Sequence, residues 1–527
     1  MNPNRRDFIK FIVSGSVAAG CPVDLALVAA GRAGTGGPGR PEVDGEHNEI
    51  CHRIRDGHHF DRPPVSARHD VVIVGGGVSG LAAAYLLRQR DFLLLEKEPH
   101  WGGNAYLETY QGQAYATGAA FVDGDDRASL DLAQELGLEM LPVNNPDGTI
   151  LRGEFIPDTW GQGLDRLPYP QSVRESFKKC RKDLGAIEVE DRERELDNEP
   201  FSKYFHGYAP EVKLWWDTSG PSNWGARTDD TSALLGIRAL QGITAESFRD
   251  GRVTWPGGLG AMTQRLVEKL ESQHSERMQA AAAVVAVRSA RGEVEVTYLH
   301  DGHPQTAAAK ALIMATPKFI TWRLVEGLPA RQADAMKQMR YIPYPVVNLI
   351  FDQPVFNQGF DTWCPGNSFT DFIVADWTVA RNKPGYRQKS NILTFYAPLT
   401  PKERPLLLTE EGSRQIAANV LRDFQKLFPG SDVDPVEVHI YRRGHPLYVS
   451  APGTFTRVQP VSRRPMERIV FANTDSEGPL SSTDRGIVAA RRAVRQAERI
   501  LARGPSAGAR NLASKARSAT KLRNWRS

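Results

Sequence analysis

An α/β fold is what this chain predicts, on three observations. Asp70-Val71-Val72-Ile73-Val74 is a β-branched run that reads as a fully buried parallel strand. Gly75, Gly77 and Gly80 follow in a G-x-G-x-x-G turn, and the Leu/Ala-rich run behind them reads as a helix. A second apolar strand, Phe92-Leu93-Leu94-Leu95, ends in Glu96, about twenty residues beyond Gly75. In that order these elements predict a Rossmann-like dinucleotide-binding unit. Gly75 serves the turn, Gly77 admits backbone to a pyrophosphate, and Gly80 lets the helix lie close on the strand. The free N–H groups at the helix start favour the diphosphate, and Glu96 accepts from ribose hydroxyls.

The remaining chain bounds the class. A length of 527 residues and 41% apolar content allow two to four folding units with a large core. A net charge of +4 is close to balanced, and much of the excess sits in a terminal tail. That tail, residues 503–527 (Arg503, Arg510, Lys515, Arg517, Lys521, Arg523, Arg526), reads as a solvated end, not a nucleic-acid surface.

The first thirty residues open with Arg5-Arg6-Asp7-Phe8-Ile9-Lys10 and a mildly apolar run to Ala19, similar to a twin-arginine export signal. The run is too short to remain as a membrane span, and no segment after it has the required length. Export to the periplasm is therefore expected. Ala18-Ala19-Gly20-Cys21 resembles a lipoprotein cleavage site, which would leave a lipid anchor on Cys21; ordinary cleavage nearby is the other reading. Residues 31–65 read as a linker, Gly/Pro-rich over 31–43. Four cysteines (Cys21, Cys51, Cys180, Cys364) are too scattered for a disulfide framework, and without C-x-x-C a zinc ribbon is not expected. Cys51-His52 with His58-His59 could be ligands but read as polar linker, so no metal site is expected. The missing C-x-x-C-H also excludes covalently attached c-type haem.

His100-Trp101-Gly102-Gly103-Asn104 places a second glycine pair just beyond the ribose acid, where a nicotinamide nucleotide needs none. Here the sequence resembles the flavin-containing amine oxidase superfamily, over most of its length. The resemblance implies FAD, held also by Gly102, Gly103 and Asn104, by Gly118-Ala119 at the flavin, and by Val284 at the adenine. Thr254-Trp255-Pro256-Gly257-Gly258-Leu259 and Ala311-Leu312-Ile313-Met314-Ala315-Thr316-Pro317 match further family segments. Phe471-Ala472-Asn473-Thr474-Asp475, followed by a helix, looks like the closing flavin segment; it implies Asn473 and Asp475 at the cofactor, with an acid on the ribityl hydroxyls. Its Ala-Asn-Thr-Asp ending, Val296-Thr297-Tyr298 before Asp301-Gly302, and Arg443-Gly444-His445 are similar to the bacterial spermidine dehydrogenases. Those relatives also imply a possible haem, for which no ligands are evident.

There are departures. The family lysine that holds a water near the flavin aligns with Arg323, and a caging aromatic aligns with Gly486. A guanidinium cannot serve as a base, yet it can hold a water or an anionic flavin. His445 is the titratable candidate for moving protons, and a structural histidine is the alternative. Trp215, Trp216, Trp224, Trp377, Tyr396 and Tyr448 are candidate walls that favour a neutral amine, although each singly also reads as core. Asp217, Asp371 and Asp376 are candidate partners for a distal ammonium.

The expected activity is hydride transfer from the α-carbon of a polyamine-like amine to flavin N5, giving an imine and then an aldehyde. Oxygen, a quinone or a cytochrome would take the electrons. Two other readings stay open: a flavin desaturase or oxidase of an apolar substrate, and a non-catalytic electron-transfer or assembly flavoprotein. The expected FAD-binding domain spans 66–150, 250–320 and 465–502. The α+β substrate domain spans 151–249 and 321–464, with the active site in a cleft between the halves.

Overall fold

A computed structural model describes residues 40–245, 251–290, 292–387, 390–428 and 434–503. The export signal, Cys21 and the tail beyond Arg503 lie outside the described residues. The chain divides into two compact units. One holds Asn104–Met262 and Tyr341–Thr454 with the stretch before His47; the other holds His47–Gly103, Thr263–Arg340 and the chain from Phe455 onward.

The second of these is the nucleotide-binding unit, and its α/β character follows the prediction. Its sheet runs in the order Met278–Gln279, Phe92–Leu95, Ala67–Val74, His303–Met314, Glu293–His300, Ala282–Ala290, with Ile469–Phe471 also paired to His303–Met314. The first three neighbours and Ile469–Phe471 pair in parallel, while Ala282–Ala290 and Glu293–His300 form an antiparallel flap. Val71, Val72 and Ile73 are wholly buried, as a parallel strand covered on both faces requires. Val72, Val74, Leu93, Leu95, Leu312, Met314 and Phe471 share one core. Burial at about 1.5–3 kcal/mol per such side chain is what holds the crossover rigid.

The other unit is α+β. An eight-stranded sheet runs Glu42–Gly45, Glu437–Arg442, Val346–Phe351, Asn391–Tyr396, Asp371–Val374, Asp361–Trp363, Gly148–Leu151, Glu154–Ile156. Its centre is antiparallel and packs one face on a phenylalanine-rich core (Phe351, Phe356, Phe369, Phe372, Phe395, Phe424). Helices Gln171–Gly185, Pro210–Trp224 and Ala233–Thr244 supply the helical portion.

The expected boundaries differ from this division in several places, among them 251–262, which group with the sheet-bearing unit, and 455–464, which group with the nucleotide unit. Residues 104–150 group with the sheet-bearing unit because Gly148–Leu151 is one of its strands. Residues 321–340 stay with the nucleotide unit, since helix Lys318–Leu324 packs on helix Ala330–Gln338 there. Within the expected linker, Glu42–Gly45 pairs with Glu437–Arg442 and Glu49–Arg55 is a helix. Their short polar sequences carry little periodicity, so a distant partner decides their structure. Among the described residues, no helix is long and apolar enough to cross a membrane.

Candidate cofactor and active site

The first glycine turn is built from backbone that side chains would spoil. Gly75 has φ +106°, and a Cβ on Gly80 would lie 1.7 Å from the Gly75 carbonyl oxygen. Gly77 caps helix Val78–Leu86 without a side-chain hydrogen bond, so the first-turn N–H groups stay available to an anion. Gly102 donates to the Gly76 carbonyl at 2.9 Å, and a Cβ on Gly103 (φ +59°) would come within 3.1 Å of Gly77 Cα. The two glycine pairs thus meet as one bare strip of backbone. Beside it, Ser79 is 3% exposed and its Oγ has no hydrogen-bond partner. An orphaned hydroxyl at a helix N-terminus is the mark of a ligand oxygen's place.

Glu96 ends the next strand. Its carboxylate accepts from Gly76 N–H and, at 2.8 Å, from Glu98 N–H. Burial raises its pKa despite the Lys97 charge and those two donors. Ala281 and Ala282 donate to the carbonyls of Glu98 and Glu96, which brings the strand bearing Val284 against the acid. Gly75, Gly77, Gly80, Glu96, Gly102, Gly103 and Val284 therefore converge in one unit.

The closing segment departs from expectation. Asp475 is wholly buried, and its carboxylate oxygens accept from Lys318 Nζ (2.6 Å) and Lys318 N–H (2.8 Å). Lys318 is equally buried and also donates to Ser476 Oγ at 2.7 Å. An acid spent on a buried ammonium is not turned toward ribityl hydroxyls, and sequence reading passed over Lys318 altogether. Asn473 Nδ2 donates to the Ala315 carbonyl, and its Oδ1 caps the Thr474–Ser476 turn. Gly486, in helix Thr483–Ala502, packs so close that a Cβ would meet Val78 Cγ1 at 2.8 Å and Ser79 Oγ at 3.0 Å. An aromatic cannot stand there.

In the sheet-bearing unit, Ala119 N–H donates to the Asn104 carbonyl at 3.0 Å, and a Cβ on Gly118 would fall 2.2 Å from that same oxygen. Arg443, 5% exposed, donates to the Thr117 carbonyl and hydroxyl, and Asn104 Nδ2 donates to the Pro446 carbonyl. Tyr396 Oη donates to the Gly118 carbonyl at 2.7 Å, and the Tyr344 ring lies 5.9 Å from the Tyr396 ring.

Cross-strand register sets Asp371 opposite both Tyr396 and Trp363, and Asp361 opposite Ile373, on one face of the sheet. Asp361 and Asp371 are 4% and 3% exposed, and Asp361 Oδ1 lacks a hydrogen-bond partner. Arg252, the cation near them, is ion-paired with Asp147 at 2.8 Å. Burial first, then the Asp147 charge, pushes both carboxyls up; Asp371 adds to the shift at Asp361.

Other candidates are engaged elsewhere. Asp217 holds Lys213 and Thr228, and Asp376 takes the Tyr386 hydroxyl. Trp215, Trp216 and Trp224 pack on one another and on Trp160 or Phe201 as core, while Trp377 stacks under Arg381. Tyr448 is buried. Arg323 is exposed, lies over Trp322 and donates to the Arg55 carbonyl, the surroundings of a surface cation. His445 is half-buried in the bend that carries Arg443 and Pro446. Cys180 and Cys364 are buried thiols that form no disulfide.

Residues 78–497 match the family described as flavin containing amine oxidoreductase. The chain belongs to that family. Flavin-containing amine oxidase B of Homo sapiens is 25% identical over 484 residues, covering 82% of this chain and 86% of that protein. Oxidoreductase PigB of Serratia sp. is 24% identical over 504 residues, covering 79% and 73%. In fold, cyclohexylamine oxidase from Brevibacterium oxydans superposes with TM-score 0.63 at 18% identity, covering 82% of this chain and 99% of that one. Putrescine oxidase bound to putrescine gives 0.61 at 20%, covering 81% and 98%.

Membership in the flavin amine oxidoreductases makes this chain an FAD-dependent oxidoreductase, and its residues fit the cofactor. The bare strip at Gly77 and Gly103, the orphaned Ser79 Oγ and the buried Glu96 acceptor are what pyrophosphate and ribose require.

Proposed function

We propose that this protein is an exported amine dehydrogenase or oxidase acting on a polyamine-like substrate, as its resemblance to spermidine dehydrogenases suggests. When bound, FAD supplies the two-electron acceptor, taking hydride at N5 from the carbon beside the amine. The single observation that carries the reading is the Asp361–Asp371 pair, two buried carboxyl groups with no salt bridge among the described residues, on the sheet face that also carries Tyr396.

Tyr396 is tied to Gly118, the residue the resemblance assigns to the flavin. The two tyrosine rings would lower local polarity around the reacting nitrogen and favour its neutral form, against an aqueous pKa of about 10 for an alkylamine. A second, still protonated nitrogen further along the substrate would pair with Asp371 and Asp361. Putrescine oxidase, similar in fold, is known bound to a diamine, which supports that substrate class. Gly75, Gly77, Gly80, Glu96, Gly102, Gly103, Asn104, Gly118, Ala119, Val284 and Asn473 are the proposed FAD contacts. His445 is the proposed proton carrier.

Anaerobic titration of the yellow protein with putrescine, spermidine and a monoamine of matched length tests the reading. Bleaching of the flavin absorbance by the di- and triamine is expected. In Asp371→Asn their KM rises about 10- to 100-fold, the scale of a lost charge-assisted hydrogen bond, while the monoamine changes little. No bleaching by any amine overturns the enzyme reading; equal losses for all amines overturn the ammonium site.

A further inference from the structure

Helix Lys318–Leu324 carries two cations with opposite fates. Arg323 is exposed on the helix surface; Lys318, at its start, is wholly buried. Its ammonium reaches Asp475 Oδ1 and Ser476 Oγ, and its own backbone N–H reaches Asp475 Oδ2. One residue therefore grips the Thr474–Ser476 turn at three points across 157 positions of sequence.

That turn is no ordinary surface loop. Its Thr474 Cγ2 lies 3.1 Å from where a Cβ of Gly486 would stand, and that same Cβ would meet Val78 and the orphaned Ser79 Oγ. Three helical starts crowd here: Val78–Leu86 at the glycine strip, the short turn Thr474–Ser476, and Thr483–Ala502, capped by Ser482 Oγ on Arg485 N–H. Their relative placement sets how closely first-turn N–H groups and Ser79 can approach an anionic ligand. Desolvation works against a charged lysine in such a place, while the Asp475 carboxylate works for it.

We propose that Lys318 is a positioning residue for FAD: by clamping Asp475 and Ser476 it fixes the Thr474 turn against the N-terminus of helix Val78–Leu86, and so holds the diphosphate-binding geometry. Lys318 acts through the turn and does not itself touch the cofactor. The basic residue that matters on this helix is then Lys318, five positions before the arginine that aligns with the family lysine. The inference rests on family membership and FAD, and is independent of which amine is oxidised.

The test uses purified holoprotein and three variants: Lys318→Arg, Lys318→Met and the double variant Lys318→Met/Asp475→Asn. FAD release after desalting is followed by the recovery of free-flavin fluorescence, the flavin absorbance envelope is recorded, and Tm is measured on the same samples. Lys318→Met takes the counter-ion from a buried carboxylate and is expected to lower Tm; the double variant removes that charge and should recover most of it. In the double variant, FAD release at 25 °C is nevertheless expected to be ~10-fold faster than wild type, with a shifted flavin spectrum, because both ammonium contacts to the turn are lost and only the backbone N–H of residue 318 still reaches it. Lys318→Arg, keeping a cation, should restore part of the retention. If FAD release in the double variant returns to the wild-type rate together with Tm, Lys318 is a stabilising ion-pair partner only and the proposal fails. If Lys318→Met does not fold, the double variant and Lys318→Arg still decide the matter.

Discussion

Glu98 shows how one residue ties chemistry to stability. Its carboxylate sits two residues past Glu96 and accepts from the His47 N–H at 3.1 Å, from His47 Nδ1 at 2.7 Å and from the Lys97 ammonium. Burial alone would raise its pKa, but the Lys97 charge and the His47 donors outweigh that and hold it below its ordinary 4.5. A carboxyl depressed in the folded state stabilises above its unfolded pKa and loses that contribution as pH falls through the folded one. Thermal melts between pH 7 and pH 3 should therefore show Glu98→Gln less stable than wild type at pH 7. The gap should narrow as pH falls below 4.5 and through the lower folded value; a gap independent of pH would mean that the carboxylate is not the stabilising group. Glu96 differs only in its neighbours, and burial keeps its pKa raised. The same residue type two positions apart thus stands as the proposed ligand acceptor and as a staple.

At the scale of elements, packing decides what a glycine means. Gly80 lies in helix Val78–Leu86 with its Cβ direction blocked at 1.7 Å by backbone, because helix and strand nearly touch. Gly242 lies in helix Ala233–Thr244 with nothing within 4 Å of that direction. Alanine substitutions should have opposite signs. Gly80→Ala forces the helix off the strand, with an expected cost of about 2–4 kcal/mol and loss of bound FAD. Gly242→Ala stabilises by about 0.5–1 kcal/mol, through the reduced freedom of the unfolded chain. Chemical denaturation of both variants checks this; a destabilised Gly242→Ala would mean that the helix is packed differently. The Gly80 constraint was legible from sequence because the motif specifies backbone contact over six residues. The constraint on Gly486 was not, since its neighbours Val78 and Ser79 come from the far end of the chain.

For the molecule as a whole, the proposed export would be linked to FAD binding through order of events. Glycine strip, Glu96, the strand bearing Val284 and the closing turn come from residues more than 350 positions apart, so the cofactor site exists only in a folded chain. A twin-arginine leader, which carries folded cargo, is the route that suits such a protein. Replacing Arg5 and Arg6 together by lysine should leave yellow, FAD-loaded protein in the cytoplasm, whereas the wild type is recovered yellow from the periplasm. Cell fractionation with flavin absorbance of each fraction measures this. Export of the double-lysine variant at the wild-type level would remove the twin-arginine reading.

By itself the sequence determined the α/β class, the glycine crossover, the acid that follows it and the family, because each rests on residues close together whose spacing is dictated by backbone geometry. Tertiary structure alone decided which charges are buried with partners. It sent Arg323 to the surface and joined Lys318 to Asp475. It also paired Asp147 with Arg252, while among the described residues no salt bridge reaches Asp361 or Asp371. The physical reason is that the cost of a charge depends on its desolvation and its nearest counter-charge, and both are set by chain segments that meet only on folding.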